Sequence, residues 1–322
     1  MSDNDALVSV IIPNYRHAPY LRERIDSVLA QDYNCFEVII LDDCSPDDSM
    51  AVIDTYKDHP RVTHVVRNEK NSGSTFLQWQ RGFALARGKY IWIAESDDVA
   101  HPSLLSTLAG QLERHPQCSL AYCHSRLIDA DGHTLSEQNK YNPATYGQVT
   151  VHQSLTFLRY LLLFNYVYNA SMAVFRADVL PHVPPDYVSF RYCGDWHFWA
   201  SIAAAGDVVE VHDMLNSFRQ HKAKVTVDSR TDTLRRWQDE CLVIGYIRSL
   251  CHLSPLKDCC LRGRLRKRLL RSGLTAGEQD VLRRDYPMLC GGTLADTVVY
   301  ELGKSLFGIL RHQQDIGFLK VR

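Results

Sequence analysis

The feature that most constrains the fold is an alternation of short apolar runs with segments of helical periodicity before residue 100. The apolar runs, which predict buried strands, are Val8–Ile12, Phe36–Leu41, Val62–Val66 and Tyr90–Ala94. The helical segments between them are Pro19–Gln31, a segment around Met50–Tyr56, and Thr75–Arg87, which we expect Gly88 to close. Such alternation indicates βαβ units, whose loops at the strand ends share one edge of a sheet. We therefore predict an α/β fold in which the loops after the first, second and fourth strands meet in one cleft.

Composition and charge argue against several classes of protein. The 322 residues carry a net charge of −1, which does not suit a protein that coats nucleic acid, so we expect no nucleic-acid partner. None of the ten cysteines lies in a C-x-x-C pair, which predicts buried thiols in a reducing compartment. The segment Met1–Asp5 is acidic, and no apolar run approaches the ~18 residues of a membrane span. We therefore expect a cytoplasmic protein.

A group of carboxylates follows the fourth predicted strand. The apolar run that begins at Tyr90 ends in Glu95, Asp97 and Asp98. Carboxylates this close repel one another unless a cation lies between them, and Mg²⁺ or Mn²⁺ binds such oxygens together with substrate phosphates. The glycine-rich dinucleotide and P-loop motifs are missing, since Pro13–Tyr15 follows the first strand instead. The residues by themselves leave open a metal site for phosphates or a plain acidic turn.

Five blocks of sequence follow one another through the same half of the chain. They are VSVIIPNY (Val8–Tyr15), SVLAQ (Ser27–Gln31), EVIILDDCS (Glu37–Ser45), ARGKYI (Ala86–Ile91) and ESDD (Glu95–Asp98). In this order the blocks resemble those of family 2 glycosyltransferases with the GT-A fold. The resemblance implies a Rossmann-like, nucleotide-sugar-binding GT-A domain with a mostly parallel central sheet over residues 1–227, and a helical C-terminal region over residues 228–322. It also implies an inverting enzyme that uses a nucleoside diphosphate sugar, with UDP as the expected nucleotide.

The resemblance implies roles for the polar residues of the expected cleft. The nucleotide would be held by Pro13, Asn14, Tyr15, Asp42, Asp43 and Asp97, with Asp43 at the base. Asp97 would face the ribose or share the water shell of the metal. Mn²⁺ or Mg²⁺ would bind Asp98, and His221 would complete the metal shell. Glu95, which stands where the family more often has Asp, and Arg219, which could reach the diphosphate, are further candidates. Asp42 and Asp43 could instead form a helix-capping turn, and His221 could simply bond a backbone group. Cys44 stands where glycine is usual, so either its φ is negative or strain is tolerated.

Asp195 is the candidate catalytic base. It opens a helical pattern that continues through Trp196, Trp199 and Ile202, and the helix dipole at that position favours an ionised carboxylate. The resemblance implies that Asp195 accepts the proton of an acceptor hydroxyl while the metal stabilises the leaving diphosphate. A plain N-cap aspartate is the alternative. The expected acceptor is a glycan or a lipid-linked sugar in bacterial-type polysaccharide assembly. The competing functions are a nucleotidyltransferase and a catalytically silent nucleotide- or carbohydrate-binding module.

The remainder of the chain gives weaker patterns. Further strands are predicted over Ser119–His124, Tyr166–Val174 and Asp207–His212, and a polar loop over Asp129–Thr150 could cover the acceptor.

The C-terminal hundred residues are predicted to be helical. Leu234–Leu253 is amphipathic, and Lys257–Arg271 combines basic residues with interleaved leucines. The basic segment is either a solvated helix face or a peripheral contact with the inner face of the plasma membrane. The closing segment, Leu294–Leu310, could pack on the body, lie on a membrane or mediate a homo-oligomer.

Overall fold

The computed structural model of the chain describes residues 6–137, 145–221 and 232–306. The strands are β1 (Val8–Asn14), β2 (Phe36–Asp42), β3 (Val62–Arg67), β4 (Tyr90–Ile93), β5 (Val99–Ala100), β6 (Cys118–Ile128), β7 (Thr134–Glu137), β8 (Val149–His152), β9 (Ala173–Arg176) and β10 (Asp207–Arg219). Within these residues all ten strands form one sheet in the order β3-β2-β1-β4-β9-β6-β10-β5, with β7 paired to β6 and β8 to β10.

Helices cover the sheet and then continue the chain. They are α1 (Ala18–Leu29), α2 (Ser49–Ile53), α3 (Thr75–Leu85), α4 (Leu104–Arg114), α5 (Ser154–Leu161), α6 (Gly194–Ala204), α7 (Thr233–Leu250), α8 (Pro255–Leu270), α9 (Ala276–Asp285), α10 (Pro287–Cys290) and α11 (Leu294–Leu306). The predicted helix over residues 294–310 is seen as α11, and residues 307–310 lie outside the described part of the chain.

The sheet is mostly parallel, and the predicted α/β fold is confirmed. β1 runs parallel to β2 and β4, and β2 runs parallel to β3. β9 is antiparallel to both β4 and β6, and β10 runs parallel to β6. The strands β1, β2, β4, β6 and β10 therefore all end at one edge. β1, β2 and β4 are buried along their whole length, as expected of parallel strands that are covered on both faces.

The predicted strand over Tyr166–Val174 is wrong in its bounds. β9 begins only at Ala173, and a short 3₁₀ turn over Ala170–Met172 precedes it. The polar side chains of Asn169 and Ser171 point to the acidic loop after β4, which explains why this segment leaves the sheet. The apolar residues near position 170 are therefore buried without belonging to a strand.

We predicted that Gly88 closes the third helix, and this prediction is wrong. α3 ends at Leu85, and Ala86 already has extended backbone angles. A Cβ added to Gly88 would stand 2.6 Å from the backbone nitrogen of Ser9 and 2.8 Å from the carbonyl oxygen of Leu7. Glycine is therefore required because the loop before β4 lies directly against β1.

The predicted polar loop over residues 129–150 is partly ordered into strands. β7 folds back on β6, and β8 pairs with β10, while residues 138–144 lie outside the described part of the chain.

The C-terminal helices share their apolar core with the sheet. Trp237, Ile244, Leu265 and Leu282 are buried in the same cluster as the strand residues, and α11 packs along α8. Over residues 6–137, 145–221 and 232–306, no helix combines the length and the apolarity that crossing a bilayer requires.

Several basic side chains of residues 257–271 form ion pairs or hydrogen bonds within the protein. Arg262 pairs with Asp258 and Asp296, Lys267 with Glu301, and Arg268 with Glu240. The buried Arg264 donates to the carbonyl of Leu163. The interleaved residues Leu261, Leu265 and Leu269 are buried too, whereas Leu256 and Leu270 are exposed. These pairs favour a helix face that docks on the protein over one that docks on a membrane.

Candidate active site

The loop after β4 meets the end of β10 at the carboxyl edge of the sheet. The backbone N–H of Arg219 donates to Oδ1 of Asp98 at 3.0 Å, and its Nε donates to the carbonyl of Asp97 at 2.8 Å. These bonds fix the acidic loop against the last residue of β10. They also set the position of His221, which follows two residues later.

Asp98 is the buried anchor of this loop. Its Oδ2 accepts hydrogen bonds from Nδ2 of Asn169 and Oγ of Ser171, both at 2.7 Å, and its Oδ1 accepts the bond from Arg219. The guanidinium of Arg24 lies 4.0 Å away, and Asp98 is only 1% exposed. Both oxygens are thus engaged by donors of the protein, which argues against the predicted role of Asp98 as a metal ligand.

Asp97 faces a different group of side chains. His221 Nε2 lies 2.9 Å from Oδ2 of Asp97, and the ligand-type atoms of His17, Asp97 and His221 lie within 4.8 Å of one another. Nδ1 of His17 also lies 2.8 Å from Oγ of Ser96. Asp97 is buried, His17 is half-buried, and the side chain of His221 is only 5% exposed. A carboxylate with two imidazoles fits a divalent ion, and it suits Mn²⁺ better than Mg²⁺, which prefers oxygen ligands.

His17 is the residue that sequence reasoning missed. It lies directly after the loop that follows β1, and that loop was expected at the same edge as Asp97. The sequence did contain a signal for His17. Histidine is a common metal ligand, and the loop after β1 was expected at the edge of the sheet where the site lies.

Glu95 does not resemble a metal ligand. Its Oε1 accepts a hydrogen bond from Nε1 of Trp79 at 3.0 Å. Burial, together with the nearby charges of Asp97 and Asp98, raises the pKa of Glu95 to about 8. The side chain is therefore mainly protonated at neutral pH, and a protonated carboxyl group is a poor ligand for a cation.

The guanidinium of Arg219, which we expected could reach the diphosphate, is bonded within the protein. Its Nη1 donates to the carbonyls of Asp129 at 3.1 Å and Ala130 at 3.0 Å, and its Nη2 pairs with Glu23. The guanidinium also lies over the ring of Tyr20, 4.9 Å from its centre, and the residue is 1% exposed. Arg219 therefore positions the loops around the site.

The residues predicted to hold the nucleotide divide into buried and exposed groups. Oδ1 of Asp42 accepts a bond from Nδ2 of Asn14 at 2.9 Å, and its Oδ2 accepts one from the backbone of Ser45 at 3.0 Å. Pro13 and Asn14 are buried, whereas Tyr15 is 40% exposed. Of these three residues, Tyr15 is the one whose side chain is open to a ligand.

Asp43 fastens the following loop to the end of β2. Its Oδ1 accepts bonds from Asn68 at 2.5 Å, from the backbone of Ser72 at 2.9 Å and from Gln78 at 3.0 Å. Its Oδ2 accepts the hydroxyl of Ser72 at 2.7 Å. So many internal donors argue against the predicted contact between the Asp43 carboxylate and the base.

The helix-capping alternative for the acidic turn does not hold for Asp42 or Asp43. Oδ1 of Asp47 accepts the backbone N–H of Ser49 at 3.2 Å, at the start of α2. Cys44 has a φ of 57°, so this position tolerates a left-handed conformation without a glycine.

Asp195 lies in the first turn of α6. The N-cap residue of this helix is Cys193, so Asp195 is not the N-cap residue that the alternative supposed. Nδ2 of Asn165 donates to Oδ2 of Asp195 at 2.8 Å. Burial raises the pKa of Asp195 to about 6, although hydrogen bonds from backbone N–H groups and Asn165 oppose the rise. A carboxylate with this pKa is ionised at neutral pH and is still basic enough to accept a proton.

A short segment connects the two acidic parts of the site. Asn165 bonds Asp195, and Asn169, four residues later, bonds Asp98. Four residues span at most about 14 Å between their Cα atoms, so the residue that bonds Asp195 and the residue that bonds Asp98 lie within that distance of each other.

Comparison with known sequences gives a consistent result. The sequence profile described as Glycosyl transferase family 2 matches residues 9–180. An uncharacterized glycosyltransferase of Rickettsia prowazekii is 25% identical over 248 residues, which cover 76% of this chain and 72% of that protein. Chondroitin synthase of Escherichia coli is 32% identical over 143 residues, which are 44% of this chain and 20% of that protein.

Two solved structures have the same fold. S. aureus TarS 1-349 in complex with UDP-GlcNAc superimposes with a TM-score of 0.62 at 18% identity, covering 84% of this chain and 77% of that chain. The mannosyltransferase PcManGT of Pyrobaculum calidifontis, in complex with GDP-Man and Mn²⁺, gives a TM-score of 0.55 at 16% identity, covering 98% and 84%. The predicted GT-A fold is confirmed.

Proposed function

The chain belongs to glycosyl transferase family 2 and is a glycosyltransferase, and from this premise we propose that it moves a sugar from a nucleoside diphosphate sugar to a hydroxyl group with inversion at the anomeric carbon. The observation that carries the proposal is that the segment over residues 165–169 links two groups with different chemistries. Asp195 provides a carboxylate with a pKa of about 6, and Asp97 stands with His17 and His221 as a group of metal ligands.

We assign the metal to Asp97, His17 and His221 in place of Asp98. The donor atoms fit Mn²⁺, and the structural neighbour PcManGT holds Mn²⁺ together with GDP-Man. A bound divalent ion supplies positive charge to the diphosphate as it leaves. Asp98, Arg219 and Glu95 support this group because their hydrogen bonds fix the loop after β4.

Asp195 acts as the general base in this proposal. It accepts the proton of the acceptor hydroxyl as the oxygen attacks the anomeric carbon, and one displacement gives inversion. Asn165 holds Oδ2 in place and stabilises the ionised form by its hydrogen bond. A single ionised carboxylate is sufficient for this step.

The donor is proposed to be UDP-linked, and Tyr15 is the exposed side chain suited to contact its base or ribose. TarS in complex with UDP-GlcNAc supports a UDP sugar, whereas PcManGT in complex with GDP-Man supports the alternative nucleotide. Asp42 and Asp43 would shape this pocket through the bonds that they accept from its loops.

The acceptor is proposed to be a growing glycan or a lipid-linked sugar. The similarity to chondroitin synthase supports a polysaccharide acceptor. All ten cysteines are free thiols, which supports a reducing compartment such as the cytoplasm. Within residues 256–271, contact with a membrane would use the exposed Leu256 and Leu270, since Arg262, Lys267 and Arg268 are paired within the protein.

Thermal unfolding with UDP, GDP, CDP and TDP, each with and without Mn²⁺, tests the donor and metal assignments together. We expect one nucleotide to raise the midpoint only when Mn²⁺ is present, because ligands that bind the folded state stabilise it. Asp97→Asn should abolish this shift, while Asp195→Asn and the exposed control Asp280→Asn should keep it. An unchanged shift in Asp97→Asn would overturn the metal assignment.

The product distinguishes the competing functions. With sugars linked to the nucleotide identified above, the wild-type protein should release a nucleoside diphosphate. Release of pyrophosphate would indicate a nucleotidyltransferase, and nucleotide binding without turnover of any donor and acceptor pair would indicate a silent binding module.

A further inference from the structure

A second group of histidines surrounds a carboxylate where β8, β10 and β6 adjoin. Its members are Thr150 and His152 on β8, Glu210 and His212 on β10, and His124 on β6. Side chains two residues apart on a strand point to the same face, and Thr150 stands opposite Glu210 in the antiparallel pair. Arg219, at the cleft, follows seven residues after His212, or about 20 Å along an extended strand. This group is therefore separate from the proposed active site.

Glu210 is the centre of the group. Its Oε1 lies 2.9 Å from Nε2 of His124, and its Oε2 lies 2.7 Å from Nε2 of His152. Burial raises the pKa of Glu210, yet the hydrogen bonds from both imidazoles outweigh this effect and hold the pKa well below its usual range. The sheet thus keeps an ionised carboxylate in a nearly buried place, with His124 fully buried beside it.

His212 completes a set of ligand-type atoms. Its Nε2 lies 2.9 Å from Oγ1 of Thr150, and its ring centre lies 5.2 Å from that of His124. Its Nδ1 is buried and has no hydrogen-bond partner among the described residues. The ligand-type atoms of His124, Glu210 and His212 lie within 4.8 Å of one another. A buried ring nitrogen without a hydrogen-bond partner is costly, and a cation bound to it would relieve that cost.

We propose that His124, Glu210 and His212 form a binding site for a divalent transition metal, with Zn²⁺ as the best-suited ion. Tetrahedral Zn²⁺ bound at about 2.0–2.1 Å separates its ligands by about 3.3 Å. This ligand-to-ligand distance is longer than the 2.9 Å between Nε2 of His124 and Oε1 of Glu210. It is shorter than the 4.8 Å within which the ligand atoms of all three residues lie. Two imidazoles favour Zn²⁺ over Mg²⁺, whose ligands are oxygens.

The ion would brace the sheet. It replaces the hydrogen bond between His124 and Glu210 by two metal bonds and so joins β6 to β10. His152, which bonds the other carboxylate oxygen, would keep Glu210 oriented, as the outer partners of zinc ligands do.

Calorimetric titration of the chelator-treated full chain with Zn²⁺ alone tests the site. The His221→Ala protein is the starting point, because it lacks one ligand of the group at the cleft. We expect this protein to bind one Zn²⁺ per chain. Adding His212→Gln or Glu210→Gln should weaken binding by at least about tenfold. His133→Gln, which changes an exposed imidazole on the β6–β7 turn, should leave the affinity unchanged.

A second measurement covers the case in which the ligand variants do not fold. Co²⁺ added to the His221→Ala protein should give the visible absorption of a tetrahedral site, and Zn²⁺ should remove it. Lack of Zn²⁺ binding, lack of the Co²⁺ spectrum, or an unchanged affinity in a folded His212→Gln protein would overturn the proposal and leave a hydrogen-bonded network only.

Discussion

The two neighbouring carboxylates of the loop after β4 lie in different surroundings, which define two regions of the molecule. The inner wall consists of Arg24, Asp98, Asn169, Ser171 and Arg219, and the outer cluster consists of His17, Asp97 and His221. In the inner wall both oxygens of Asp98 accept hydrogen bonds from the protein, and the residue is almost fully buried. In the outer cluster the imidazoles of His17 and His221 lie beside the Asp97 carboxylate. Neighbours in the chain with the same charge thus have different tasks, and substitutions should separate stability from turnover.

Substitution of Asp195 by asparagine should have the largest effect on turnover, and it tests whether Asp195 behaves like the outer cluster. The amide cannot accept a proton at neutral pH, so the contribution of a general base, about 10²–10⁴-fold in rate, should be lost. The measurement is kcat with the donor identified by the nucleotide screen. Nucleotide and Mn²⁺ should still bind, and the thermal midpoint should change little. Wild-type turnover in Asp195→Asn would remove this residue from the mechanism.

The matched pair Asp97→Asn and Asp98→Asn tests the comparison directly. Asp98→Asn should lower the free energy of unfolding by about 3 kcal/mol, because its amide would face donors of Asn169, Ser171 and Arg219. Asp97→Asn should lower the free energy of unfolding by less than Asp98→Asn does, because asparagine can still hydrogen-bond His221, while it abolishes the Mn²⁺-dependent nucleotide shift. Urea unfolding of both proteins provides the measurement. The reverse pattern would exchange the roles of the two carboxylates.

The pH profile should show the protonation of Asp195. Because the base must be ionised and burial raises its pKa to about 6, kcat/KM should be constant above this pH and fall about tenfold for each unit below it. Asn165→Ala removes a hydrogen bond that favours the ionised form, so the acidic limb should move to higher pH. A limb that stays in place in Asn165→Ala would show that another group controls the profile.

The sequence was sufficient for the fold because the buried parallel strands are continuous apolar runs. The predicted strands Val8–Ile12 and Phe36–Leu41 each extend by only one or two residues in the structure. The error at Tyr166–Val174 has a different cause, since burial there comes from contact with the acidic loop. Periodicity reports burial, and it does not report whether a buried segment belongs to a strand.

The location of the candidate site could be predicted from the sequence better than the function of each of its residues. The carboxyl ends of parallel strands brought Asp97, Asp98 and His221 to one edge, as the order of strands requires. The orientation of the Asp98 carboxylate depends on Asn169 and Ser171, which are more than seventy residues away in the chain. A local motif contains no information about such distant donors. The same holds for the basic helix α8, since its partners Asp296, Glu301 and Glu240 lie on other helices.

Glu95→Gln should have the smallest effect of these substitutions, although Glu95 belongs to the same acidic loop. With a pKa of about 8, the side chain is already mainly neutral at pH 7, and glutamine copies the neutral acid while it still accepts the bond from Trp79. We expect kcat and KM at pH 7 to change less than about threefold. Glu95→Asp is the control, because its shorter side chain cannot keep the Trp79 contact and should cost about 1 kcal/mol of stability. A loss of Mn²⁺-dependent binding in Glu95→Gln would instead show that the carboxylate is ionised and binds the metal, and the outer cluster would then include Glu95.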